Sequence, residues 1–221
     1  MTERAVPSQI VAPFQLVAGH PALDFVNTLD KRPTAGGPQD ILGCYEDLLC
    51  FALHAGVLTA EEMQSRMNVS RRTGGSVLEM ARSTRETIGD AFHMVVDARS
   101  PVPVEPKGFG PQDMQIKALD SLLKLMSQFR ALEWDPESKR PQWRWTGEES
   151  QLPVYRLVKA AEDLLFSPGV AMVRSCESPT CQWLFLDGSR NHRRRWCDMK
   201  ICGNRMKARV LRARRVVSPP N

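Results

Sequence analysis

The 221-residue sequence predicts a mainly α-helical protein: a helical N-terminal domain carrying a short β-hairpin, joined to a small metal-ordered C-terminal module made of a hairpin or loop and a basic helix. Three observations predict this class. Apolar residues recur at three- and four-residue spacing over several stretches, the mark of helices that bury one face. Trp143-Arg144-Trp145 alternates with a period of two beside Pro136 and Pro141, which points to a short hairpin or extended segment. Four of the six cysteines form two identically spaced pairs, Cys176-x4-Cys181 and Cys197-x4-Cys202, near the C-terminus.

The elements follow in chain order. Met1 to Pro13 reads as a flexible arm, residues 1–13. From Phe14 the chain mixes a short strand with a helix opening near Pro21, where proline suits the first helical turn. Lys31 to Pro38 is a Gly/Pro loop. Asp40 is expected to cap a helix reaching about Gly56, with Leu42, Tyr45, Leu48, Leu49, Ala52 and Leu53 as its apolar stripe. Thr59, followed by Glu61 and Glu62, opens a short helix, and Ser70 to Gly75 reads as a break. Val77 through Val96 then forms a long amphipathic helix that ends by Arg99, since Pro101, Pro103 and Pro106 forbid its continuation. Met114 to Leu132 repeats the pattern with Ile116, Leu119, Leu122, Leu123, Met126 and Phe129 inward. Leu152 to Phe166 is a further helix, stopped at Ser167-Pro168-Gly169.

The tryptophans of the hairpin segment have two readings. They could offer bases a stacking platform, or they could cap a helical core with their large apolar area. Cys44 and Cys50 are expected to be buried small hydrophobes.

The cysteine pairs point to a structural zinc site. Zn2+ takes four thiolate or imidazole ligands in a tetrahedron, and two short-spaced pairs let two chain segments each supply half of it. Disulfides are the rival, but nothing at the N-terminus resembles an export signal. A redox Cys-x-x-Cys motif is excluded by the spacing. His192 lies between the pairs as a spectator or phosphate contact, because four thiolates complete the site.

Charge is distributed unevenly. The net charge is +5, yet residues 174–215 hold twelve Arg or Lys against Glu177, Asp187 and Asp198, giving +9 there and −4 elsewhere. A small module this basic suggests a polyanion partner. After Cys202, Met206, Val210, Ala213 and Val217 share one helical face while Arg205, Arg209 and Arg212 share another. No apolar run approaches the length of a membrane span, so a soluble, cytoplasmic protein without a membrane partner is expected.

The segments Trp183-Leu184-Phe185-Leu186-Asp187, Arg194-Arg195-Trp196-Cys197-Asp198-Met199 and Cys202-Gly203-Asn204-Arg205-Met206-Lys207-Ala208-Arg209 together resemble the CGNR zinc finger, over about residues 174–215. Upstream, Gly19-His20-Pro21-Ala22-Leu23-Asp24-Phe25-Val26-Asn27-Thr28-Leu29 is similar to the start of an ABATE domain, which precedes the finger in that family. The resemblance implies a bacterial stress-responsive transcription regulator, with a helical sensor over residues 14–170 and a DNA-binding finger over 171–217. It implies that Cys176, Cys181, Cys197 and Cys202 hold the zinc. It further implies that Gly203 permits a tight path beside the metal and that Asn204 bonds a sulfur or caps the helix.

On this reading Arg193, Arg194, Arg195, Arg205, Lys207, Arg209 and Arg212 are the candidate contacts to duplex DNA. His20, Asp24 and Asn27 are candidates to line a small-molecule pocket, and the alternative is a buried hydrogen-bond pair fixing the first helix. The rival class is a zinc module that binds RNA or another protein. An enzyme is not expected, since the chain lacks a phosphate-binding Gly-Lys-Ser/Thr loop, His-Glu-x-x-His and Gly-x-Ser-x-Gly. A homodimer is expected on the ground that one small finger grips DNA weakly.

Overall fold

The computed structural model describes residues 14–30, 37–99 and 112–217. Its elements are α1 (Pro21–Val26), β1 (Leu29–Asp30), β2 (Gln39–Asp40), α2 (Tyr45–His54), α3 (Ala60–Arg66), α4 (Arg71–Asp97), α5 (Gln112–Ser127), β3 (Arg130–Asp135), β4 (Arg140–Trp145), α6 (Leu152–Leu165), β5 (Val173–Ser175), β6 (Leu184–Leu186) and α7 (Asn204–Val217). The strands pair only as antiparallel hairpins: β1 with β2, β3 with β4, β5 with β6. The mainly helical class read from the sequence is the observed one. The residue 1–13 arm, most of the Lys31–Pro38 loop and the proline cluster after Arg99 lie outside the described residues.

The short helix α1 sits at the centre of the core. Ala22, Leu23 and Phe25 are fully buried, and α1 packs on α4, α6 and β6. Around it α4 runs 27 residues, about 40 Å at 1.5 Å per residue, and supplies Val77, Leu78, Ala81, Ile88 and Phe92. From the other side α6 contributes Val154, Tyr155, Leu157, Val158 and Ala161. Leu184, Phe185 and the four pair cysteines belong to this same buried cluster. The cysteine module and the helical domain therefore pack as one continuous core.

Several local expectations shift. Asp40 does not cap α2; it lies in β2, where its two carboxylate oxygens each accept from Arg85 at 2.7 Å. Arg85 is 3% exposed, and a guanidinium this buried requires an anionic partner. The amides of Gly43 and Cys44 at the start of α2 instead donate to Asp47 at 2.9 and 3.0 Å. Nor does Ser70 to Gly75 break the chain. The Ser70 hydroxyl accepts from the Thr73 amide, α4 starts at Arg71, and a Cβ on Gly74 would lie 3.0 Å from the Tyr45 Cβ, so the glycine permits close packing of α4 on α2. The segment near Leu16, expected as a short strand, forms none; Ala18 alone in it bonds to β6. Ile116 and Cys44, expected to be buried, are exposed. Thr59 caps α3 as expected, and the Glu62 carboxylate in turn accepts from the Thr59 amide.

Candidate metal centre and nucleic-acid interface

Two loops present the four cysteines. The β5–β6 hairpin brings the first pair together: the Cys176 amide donates to Trp183 O at 2.8 Å, and the Cys181 amide closes a turn on Ser178 O at 2.9 Å. The second pair spans the start of a π-helical turn, Met199–Gly203, that runs into α7. Asp198 organises that turn twice over. Its carboxylate accepts from the Ile201 amide at 2.9 Å, and its carbonyl accepts from Cys202 at 3.0 Å and Gly203 at 3.1 Å. A Cβ on Gly203 would lie 2.2 Å from the Met199 sulfur and 3.2 Å from Trp196 Cδ1, so the glycine lets both side chains close over the turn. Asn204 begins α7 and is exposed.

The four sulfurs lie within 4.8 Å of one another and all four cysteines are buried. Cys181 and Cys197 Sγ are 3.5 Å apart, and Cys197 and Cys202 Sγ are 3.7 Å apart. A tetrahedral Zn2+ with bonds of about 2.3 Å sets its sulfurs about 3.8 Å apart, whereas a disulfide needs about 2.05 Å. The geometry fits a four-thiolate zinc site and rules out disulfides among these thiols. Hydrogen bonds from the Cys181 and Cys197 thiols hold Cys176 well below the usual thiol range, and the same bonds push Cys181 and Cys197 up. His192 is not a ligand; its Nδ1 lies 3.0 Å from Asp187 O.

The arginines divide into two groups. Arg194 is half-buried and braced: Nε donates to Trp196 O at 2.9 Å, Nη2 donates to Val17 O at 3.1 Å and to Cys197 O. Its guanidinium also lies 4.5 Å from the Phe185 ring centroid. Arg194, expected as a phosphate contact, spends Nε and Nη2 on backbone carbonyls and so braces the second cysteine loop. Arg195 pairs with Glu177 at 2.6 Å and lies over Trp196, yet stays largely exposed. Arg193, Arg205, Lys207, Arg209 and Arg212 are exposed. Beside them Trp196, Gly203, Met206, Val210 and Leu211 line an open apolar groove of about 530 Å3.

The three candidate pocket residues turn out to be fasteners. Asn27 holds β6 with both ends of its carboxamide, donating to Leu184 O at 2.9 Å and accepting from Leu184 N at 3.0 Å. Asp24 accepts from the Ala18 amide at 2.9 Å, and Ala18 O in turn accepts from Leu186 N at 2.7 Å. Burial pushes the Asp24 carboxyl up to about 6, against the pull of the Ala18 and Val17 amides. His20 caps α1, its Nδ1 accepting from Ala22 at 3.3 Å, and burial lowers its pKa. Asn27 borders a small cleft beside Arg85, His93 and Trp183 that holds about 30 Å3, roughly one water. A larger groove of about 500 Å3 lies elsewhere, at the N-termini of α2 and α4. Asp24 and Asn27 thus form a buried hydrogen-bonded anchor, and its partner is the finger rather than the helical bundle alone.

Sequence reasoning also passed over two working residues. Asp187, fully buried, accepts from the Arg194 amide at 3.0 Å and from Ser189; those bonds keep its carboxyl low although burial opposes them. Arg99, just past the C-terminal cap of α4, donates to Ala171 O and Val173 O, pinning β5. An acid inside an apolar run was the available signal for Asp187; Arg99 gave none. Among the described residues no helix is long and apolar enough to cross a membrane.

Comparison with known families agrees with this division. The model of the CGNR zinc finger matches residues 172–215. The ABATE model, described as "Putative stress-induced transcription regulator", matches residues 19–168. No curated protein matches the chain.

Proposed function

Since the chain belongs to the ABATE family and ends in a CGNR zinc finger, we propose that it is a transcription regulator, not an enzyme, whose finger grips duplex DNA and whose helical domain answers a small ligand or partner. One observation carries the reading. Helix α7 leaves the core with Arg205, Lys207, Arg209 and Arg212 all exposed, and no acidic residue lies between Met199 and Val217. A solvent-facing helix of one charge sign is the electrostatic footprint of a phosphate contact.

Cys176, Cys181, Cys197 and Cys202 would hold Zn2+, which supplies folding energy to a module with little core of its own. The chain's residues do the rest. Arg193 and the α7 cations meet phosphates, Arg194 keeps the second cysteine loop closed, and Asn27 with Ala18 joins α1 to β6. Through those bonds a shift of α1 on ligand binding reaches the strand that leads into the metal site. Regulation then consists of reorienting or loosening the finger relative to the sensor.

The test is binding to a labelled duplex pool across a salt series, with single-stranded RNA and an acidic protein as competitors. The expected result is preference for duplex and a log–log slope of about −0.9 per phosphate contacted. Flat salt dependence, or stronger competition by the acidic protein, overturns it. That second outcome would favour a protein-docking finger, the reading to which the apolar groove beside Met206 and Val210 lends support.

A further inference from the structure

The β3–β4 hairpin is an arm with two chemically different faces. Its register sets Leu132 opposite Trp143 and Trp134 opposite Pro141, and side chains alternate across a strand, so these four share one face. At the base that face is anchored: Trp145 stacks on Tyr155 at 5.4 Å, and the Arg130 guanidinium bonds Glu162 at 3.1 Å while lying 5.7 Å from the Trp143 ring centroid. Beyond the base it is bare. Leu132, Trp134 and Trp143 are 63%, 61% and 60% exposed. The opposite face is polar, with Arg144 paired to Glu133 at 2.8 Å.

An isolated two-stranded hairpin is marginal in water, and clustered apolar groups on one face of it mark a surface that something covers. We propose that this face is a homodimer interface, covered by the same face of a second copy about a two-fold axis.

Charge and area select that occupant. The one charge on the face, Arg130, is already engaged by Glu162 and the indoles, and the cross-strand pair Arg144–Glu133 is neutral. A polyanion finds little to grip there, so base stacking is not favoured. An identical neutral face meets no repulsion, whereas α7, with its unbroken positive charge, would repel its own copy. A large aromatic side chain carries roughly 150–250 Å2, so the exposed fractions of the two tryptophans and Leu132 leave about 400 Å2 per copy. Pairing removes about 800 Å2 through these side chains alone, and rim contacts bring the total near the roughly 1,200 Å2 at which stable interfaces begin. A symmetric contact needs a self-complementary patch, and an indole ledge beside a leucine and a proline supplies one. The dimer is inferred from the arm alone and does not depend on DNA binding; if the finger binds DNA, two copies present two fingers at a fixed spacing.

Sedimentation velocity on the zinc-loaded full chain over a dilution series tests this. The expected species is twice the 24.9 kDa chain, and Trp134→Lys with Trp143→Lys should raise the dimer dissociation constant at least about tenfold with zinc content unchanged. Gln142→Glu, on the polar face, should leave the dimer intact. Should the double variant misfold, Leu132→Lys alone repeats the test. A wild type that stays monomeric at every concentration overturns the proposal, as does a dimer that persists in folded face variants.

Discussion

The finger has an inner half and an outer half, and the same residue type behaves oppositely in each. In the inner half, Val173, Leu184, Phe185 and the four cysteines are buried, and Arg194 reaches three carbonyls, one of them Val17 of the helical domain. In the outer half, α7 carries a similar guanidinium density with the described side chains largely in solvent. What separates them is the supply of acceptors. Where loops leave carbonyls pointing inward, arginine becomes a brace, because an unpaired buried acceptor is costly. Where a helix has already satisfied its own backbone, arginine is left for an external anion.

The largest expected effect strikes the inner half. Cys197→Ser should abolish stoichiometric zinc, and since a structural site contributes roughly 10–16 kcal/mol of apparent binding energy, the module should unfold. The shared core adds a second expectation: exposure of Trp183 and Leu184 should also lower the melting temperature of the helical domain. Zinc analysis, tryptophan emission and thermal circular dichroism on one sample check both. A helical domain that melts as before would break the idea of a continuous core.

Next in size is the contrast between arginines. Arg194→Ala should cost about 3 kcal/mol in urea unfolding, since it removes charge-assisted bonds to carbonyls that stay buried. Arg205→Ala with Arg209→Ala should change stability by less than about 0.5 kcal/mol and instead reduce the salt slope of DNA binding by up to about two units. Reversal of that pattern would erase the distinction between brace and phosphate contact.

Helix periodicity was readable because it reports burial of a single face, and long stretches such as Val77 to Val96 give it many repeats. The metal centre was readable because zinc chemistry constrains spacing and residue type within one short segment. Asn27 was legible as a polar residue in an apolar helix but not in its role, since its partner Leu184 is 157 residues away and offers only backbone atoms. Asp40 misled for a related reason: its local capping propensity was overridden by Arg85, 45 residues on. The exposed indoles of the hairpin likewise depend on how far the arm projects, which alternation alone does not encode.

Asn27→Ala tests the tie between sensor and finger at intermediate strength. Loss of two buried bonds should destabilise by about 2 kcal/mol, read as a fall in urea midpoint with zinc retained. An unchanged midpoint would mean that β6 is held by packing alone.

The smallest effect is the most diagnostic of the strap that joins Asp24, Ala18 and β6. Burial raises the Asp24 carboxyl to about 6 from an ordinary 3.8, so the native state binds this proton more tightly than the unfolded chain does. For such a group stability increases as pH falls through the folded value, and the gain is complete below the unfolded one. Between pH about 7.5 and about 5.5 the linkage amounts to about 0.8 kcal/mol, and this window stays above the range where acid would strip the thiolates of metal. Asp24→Asn keeps an oxygen to accept from Ala18 and removes the titration, so its stability should be flat over the window relative to wild type. Parallel pH profiles for the two proteins would show that Asp24 titrates alike in the folded and the unfolded chain, so that its carboxylate is solvated in solution.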